Sequence, residues 1–249
     1  MTFFYRDKKL CRKQAVGLGI TVLSAFLLLL GLKCGYNHGM SGAFLHVKAE
    51  SRHIVADGFY YQKITDEMKE KMTGVSYPES GAVISLSELR MVTVRYYNFK
   101  GKVKSGILIT NKKIAKKTAK VFYELYQIKY PIQKIKTVDE YGADDVKSME
   151  DNNTSCFNYR VIAGTKKLSE HGKGLAIDIN PRINPWVKGN SVSPKNGKAY
   201  KERNVKKCKG KYKKYMIHKN DKAYKIFKKY GFSWGGDWKS LKDYQHFEY

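Results

Sequence analysis

Acidic side chains are scarce in this sequence: 22 Asp and Glu stand against 48 Lys and Arg over 249 residues, a formal net charge of +26. An excess of that size favours a polyanionic neighbour, whether nucleic acid, anionic lipid headgroups or an anionic cell-wall polymer. A solvated lysine-rich surface explains the same charge without any partner. Cysteine is also sparse, and Cys11, Cys34, Cys156 and Cys208 show no CxxC spacing, which speaks against a cysteine-built zinc site. Cys156 and Cys208 leave two readings open, a disulfide or two separate buried thiols. No internal repeat is present, and strands and helices do not alternate regularly, so a doubly wound parallel sheet is not expected. What is present suffices for a core: hydrophobic residues make up 42% and aromatics 13%, which excludes global disorder.

The N-terminus bears on compartment. Arg6, Lys8, Lys9, Arg12 and Lys13 surround a lone Asp7, and Ala15–Leu32 follows as eighteen residues without a charge. As a helix rising about 1.5 Å per residue, that run spans roughly 27 Å, close to the thickness of a bilayer core. The basic flank stays in the cytoplasm by the positive-inside rule, which carries the chain after Lys33 outside. No small-x-small cleavage site follows directly, and Lys33 before Cys34 disfavours a lipoprotein-type site. The expected organisation is a cytoplasmic tail over 1–14, an uncleaved transmembrane signal anchor over 15–33, a linker over 34–56 and one domain over 57–249. Six of the 48 Lys and Arg and one of the 22 acids lie in residues 1–34, so +21 remains on the exported part. An anionic wall polymer then fits the charge, and nucleic acid does not.

Within the domain, Met91–Phe99 and Lys102–Thr110 flank Lys100-Gly101 with alternating apolar and polar residues, the pattern of a hairpin. NKKIAKKTAKVFYELYQIKYP, residues 111–131, places Ile114, Thr118, Val121, Phe122 and Leu125 on one helical face, with Pro131 as its limit. NDKAYKIFKKYG predicts a second helix, capped by Asn220 or Asp221 and stopped by Gly231. Together these predict an α+β fold in which a small antiparallel sheet carries packed helices. The lysine run 205–219 reads as a solvated loop face, with contact to an anionic polymer as the lesser reading.

In HGKGLAIDIN, residues 171–180, Leu175, Ile177 and Ile179 alternate with Asp178, so a strand here buries the aliphatics on one face and turns Asp178 to the other. Glycines between His171 and that strand let the imidazole fold back towards the carboxylate. A buried carboxylate needs a cation, hydrogen bonds or a proton. A structural His–Asp pair satisfies that need as well as a metal does. Near the C-terminus, Asp243 precedes His246 by three residues, and His246 is a candidate third ligand. A His/Asp/His set with one position left for water is the coordination of a catalytic zinc, and Asp243 is then a candidate general base. Glu248, on the same strand face as His246, competes for that role. His38, His46, His53 and His218 lack comparable surroundings and are read as ordinary.

These residues resemble a known family. Ser169, His171 and Asp178 in SEHGKGLAID, and Asp243 and His246 in DYQHF, match the two signatures of the bacterial D-Ala-D-Ala carboxypeptidase / L-Ala-D-Glu endopeptidase family of zinc peptidases, which have the Hedgehog/DD-peptidase fold. The resemblance extends over DEYGADDVKSMEDNNTSCFNYR and WGGDW, roughly residues 57–249. It implies one zinc ion held by His171, Asp178 and His246, with Asp243 as general base. It further implies that Arg160 polarises the scissile carbonyl and that Ser169 supports the site or touches substrate. Trp234 is read equally as core or as a wall of the cleft. The implied activity is zinc-dependent hydrolysis of an amide bond in peptidoglycan stem peptides, by a membrane-held enzyme facing outward. The alternative is a membrane-anchored, non-catalytic wall-binding module on the same fold.

Overall fold

The computed structural model describes residues 51–162 and 164–249. The expected tail, anchor and most of the linker lie outside the described residues, as do Cys11, Cys34, His38 and His46. Among the described residues no helix is long and apolar enough to cross a membrane.

A four-stranded antiparallel sheet in the order β1-β2-β3-β4 opens the structure, from His53–Ala56, Phe59–Lys63, Leu89–Tyr97 and Val103–Asn111. The last stretch expected to be linker is therefore strand: β1 takes residues 53–56 into the sheet, pairing His53 with Tyr61. The expected hairpin is present, shifted by two residues at the first strand's start and one at the second's end. Its turn is fixed by Asn98, whose Oδ1 accepts from the amides of Lys100 and Lys102, and by Gly101 at φ 71°.

Helix α1, Asp66–Met72, follows β2, and α2, Lys112–Gln127, leaves β4 directly. The α2 residues expected inside, Ile114, Thr118, Val121, Phe122 and Leu125, are all buried. The helix ends before Pro131, where Lys129 turns left-handed at φ 53°. Two short strands, β5 (Lys134–Ile135) and β6 (Asn153–Thr154), pair in parallel around α3, Asp145–Glu150. Helix α4 covers Lys222–Lys229, with Asp221 as its cap and Gly231 at φ 89° beyond it.

Instead of one small sheet, the C-terminal half holds two further three-stranded antiparallel sheets. β7 (Ala176–Asp178) pairs with β12 (His246–Glu248), which pairs with β10 (Ser233–Trp234). β8 (Trp186–Lys188) lies between β9 (Ser191–Ser193) and β11 (Lys242–Asp243). The architecture is mixed α and β with small, mainly antiparallel sheets.

One core joins these pieces. Phe59, Val92 and Leu108 of the first sheet meet Phe122 of α2, Ile177 of β7, Phe227 of α4 and Phe247 of β12. The rings of Phe227 and Phe247 stack with centroids 3.9 Å apart. Consequently β12 is fixed from its apolar side, and the opposite side of the β7–β12 pair is left to polar groups.

Candidate metal centre

Antiparallel register sets two of the three expected ligands opposite each other. On β12 and β7, His246 faces Asp178, and Phe247 faces Ile177. Alternation then sends both phenylalanine and isoleucine into the core while the imidazole and the carboxylate share the other face. His171 reaches them from a glycine loop. That loop is pinned to the start of α2 by Asn111, whose amide nitrogen donates to the carbonyl of Gly174 at 2.8 Å. Its side-chain amide donates to the carbonyl of Lys173 at 3.2 Å, and its Oδ1 caps α2 at Lys113. Gly174 has φ 69°, and a Cβ there would lie 2.7 Å from the Asn111 nitrogen, so glycine is required by both backbone angle and space.

The three donor atoms close a nearly equilateral triangle. His171 Nε2 lies 3.2 Å from His246 Nδ1 and 3.3 Å from Asp178 Oδ1, and the latter two are 3.2 Å apart. Four donors bound tetrahedrally at the ~2.0–2.1 Å typical of zinc would lie about 3.3 Å from one another. All three residues are buried, and they form the one group of His, Cys, Asp and Glu able to hold a metal ion among the described residues.

Each imidazole's second nitrogen is spoken for by an acceptor. His171 Nδ1 donates to the carbonyl of Cys156 at 2.6 Å, and His246 Nε2 to Glu248 Oε2 at 3.2 Å. Protons on those outer nitrogens leave lone pairs on His171 Nε2 and His246 Nδ1, both aimed into the triangle. Such outer acceptors fix tautomer and ring orientation in metal sites. The donor set, its spacing and its tautomers thus fit a divalent metal.

Charge tells the same story. Burial raises the pKa of Asp178, but the two imidazoles outweigh it and hold the carboxyl well below its ordinary range. Burial disfavours the His246 imidazolium, yet hydrogen bonds to Asp178 and Glu248 push its pKa up to about 10. The pocket therefore demands positive charge, and a cation can take the place of that proton.

Asp243 sits on β11 beside the triangle. Burial, and then the negative charge of Asp178, raise its pKa to about 6. Its Oδ1 is buried without a hydrogen-bond partner. Gly235 allows the approach: a Cβ there would lie 2.6 Å from the Asp243 carbonyl oxygen and 3.3 Å from the His246 Cβ. Glu248, the rival base, is engaged as the partner of His246.

The remaining expected site residues are placed differently. Arg160 is bonded through Nε to Asp145, with the two side chains 41% and 28% exposed. Ser169 is buried, and its Oγ accepts from the amide of Gly172 at 2.9 Å, so it caps the turn carrying His171 and its oxygen points into that turn. Trp234 is core: it is buried and donates from Nε1 to the carbonyl of Tyr244. Trp238 is the tryptophan beside the centre, its ring 5.4 Å from that of His246. Sequence reasoning passed over Trp238, although it closes the same WGGDW stretch, and over the Cys156 carbonyl, which no side-chain pattern marks. Cys156 and Cys208 are free and buried. Of the two outlying histidines, His53 stacks on Tyr61 and His218 is half-buried near the cap of α4. Cavities of about 350 Å³ beside Lys71 and Glu140 and about 390 Å³ beside Tyr159 are lined by none of the three donors.

Residues 163–249 match the family model described as D-alanyl-D-alanine carboxypeptidase. That segment contains the whole donor triangle together with Ser169, Asp243 and Glu248, and begins after Arg160. No curated protein and no solved structure matches the chain.

Proposed function

We propose that this protein is a zinc-dependent peptidase that hydrolyses an amide bond in peptidoglycan stem peptides, with His171, Asp178 and His246 as the metal ligands. The observation that carries the reading is the donor triangle of 3.2–3.3 Å sides with both imidazole tautomers fixed from outside. A bound Zn²⁺ would acidify water to a pKa near 7 and polarise the scissile carbonyl. Asp243, whose buried Oδ1 has no hydrogen-bond partner, would take the proton of the attacking water and hand it to the leaving amine.

Arg160 is the candidate for the oxyanion side. Its bond to Asp145 is partly exposed, and such pairs contribute little, about 0–1 kcal/mol. Exchange of that partner for the developing oxyanion would leave the guanidinium as a charged donor on the oxygen side. Ser169 supports the site by holding the His171 turn. Trp238 forms one wall beside His246.

Removal of a terminal D-alanine and cleavage between L-Ala and D-Glu require the same chemistry; the description of the matched family favours the first. The uncleaved anchor and outward domain supply access to the wall. Incubating the full chain with purified peptidoglycan, with chelator and with zinc restored, tests the reading by mass spectrometry of the released amines. Free D-alanine or a trimmed stem that disappears with chelator is the expected result. No new amine from intact walls or soluble stem peptides would overturn it.

A further inference from the structure

Outside the metal centre, the strongest unassigned feature is the lobe formed by residues 195–219. It holds eleven Lys and Arg against one acid, and its 205–219 portion has seven lysines with no acid and no arginine. Of those seven, only Lys219 meets a carboxylate among the described residues, Asp237 at 3.8 Å. Glu202, the lone acid, is occupied by the amide of Asn204.

This is an ordered lobe, not a loose tail. Arg203 donates to the carbonyls of Ile183, Tyr200 and Ile217 and to Asn184 Oδ1, and lies over the ring of Tyr244 at 4.3 Å. Cys208 Sγ bonds the carbonyl of Ala199 and the amide of Gly210. Tyr212 and Tyr215 pack on Phe99 of the hairpin turn, with centroids at 4.8 and 4.9 Å. Tyr244 follows Asp243 directly, so the strut that fixes the lysines also abuts the catalytic strand.

We infer that this lobe is a docking surface for a phosphodiester-linked anionic polymer of the cell wall. The inference rests on the wall-directed reading of the metal centre. Ammonium groups that, Lys219 apart, meet no carboxylate among the described residues, held on a fixed frame, raise the local concentration of a polyanion. Lysine supplies point charges, suited to a repeating phosphate without a fixed two-pronged geometry. Two other partners fit less well. Binding of single-stranded nucleic acid uses open aromatic faces for base stacking, whereas Lys211 and Lys214 lie over Tyr212 and Tyr215 and the rings pack on one another. Insertion into a membrane interface calls for exposed apolar side chains beside the basic ones, and in 205–219 the only exposed large one among the described residues is Val205.

The test is co-sedimentation of the full chain with purified walls that carry the polymer and with walls stripped of their phosphodiesters. Two variants accompany it. One replaces Lys206, Lys207, Lys209 and Lys211 with Gln; the other replaces Lys112, Lys113, Lys116 and Lys120 on α2, removing equal charge from another face. The expected result is retention on polymer-bearing walls that falls with salt, weakened about tenfold or more in the lobe variant and little changed in the α2 variant. Equal losses in both variants, or equal retention on stripped walls, would overturn the proposal. So would tighter binding to duplex DNA, or binding to phosphatidylglycerol vesicles that the lobe variant loses and the α2 variant keeps. Hydrolysis of a soluble stem peptide is measured alongside and should be the same in wild type and lobe variant. Absent hydrolysis with normal polymer binding would count against the peptidase reading alone.

Discussion

Among single residues, Asp243 and Glu248 are two carboxylates near one imidazole with different work, and their environments tell them apart. Glu248 accepts from His246 Nε2, while Asp243 keeps a buried oxygen without a partner. Asp243→Asn should therefore lower kcat by about 10²–10⁴ while leaving bound zinc, measured by elemental analysis, unchanged. Glu248→Gln should instead weaken zinc affinity by roughly 10–100-fold, as loss of an outer-sphere partner does, and retain hydrolysis at saturating metal. An exchange of these two outcomes would make Glu248 the base. The sequence contained the triad residues and both acids, because a histidine or a carboxylate announces its chemistry wherever it stands. Spacing alone could not separate the two acids; only the family resemblance named Asp243. That difference depends on which nitrogen of His246 faces the metal, and ring orientation leaves no trace in spacing. The same holds for Ser169, read from the resemblance as supporting the site or touching substrate, two roles that separate only once the amide of Gly172 is seen to engage its oxygen.

At the scale of elements, the centre depends on junctions between segments far apart in the chain. Asn111 ends β4, caps α2 and holds the glycine loop of His171 through two further bonds. Asn111→Ala removes the cap, worth about 1 kcal/mol, and the bond to Lys173, worth about 1 kcal/mol more. For a domain near 200 residues this should lower Tm by roughly 4–8 °C. Asn111→Asp keeps the cap but sets a carboxylate oxygen against the Lys173 carbonyl. It should recover much of the α2 stability and little of the zinc affinity, which thermal melts and metal titration would show separately. Gly235→Ala should cost about 1–3 kcal/mol by overpacking, because the added carbon meets Asp243 backbone, not a flexible side chain. Helices α2 and α4 and the β3–β4 hairpin were legible because each has a long apolar period and a local stop signal. β1 was not: its four residues are half-buried or exposed, and no alternation marks so short an edge strand. The division of the C-terminal half into two sheets was equally hidden, since strands of two or three residues are defined by their partners.

For the molecule as a whole, the metal and the core should be coupled through β12. Phe247 stacks on Phe227 of α4 and lies in the cluster shared with α2 and the first sheet, while the adjacent His246 turns to the metal. A ligand that binds only the folded state stabilises it by mass action, by about 2.7 kcal/mol when free metal exceeds Kd a hundredfold. Zinc at that excess should raise Tm by roughly 5–10 °C over chelated protein. In Asp178→Asn the shift should largely vanish, since one donor and the charge that draws the cation are lost together. Asp243→Asn should keep the full shift, because its carboxylate lies outside the donor triangle. The comparison needs no substrate and so stands apart from any question of which bond is cut. A zinc-dependent shift of equal size in Asp178→Asn would mean that the ion binds elsewhere, and the triangle would then be a buried polar cluster holding a proton.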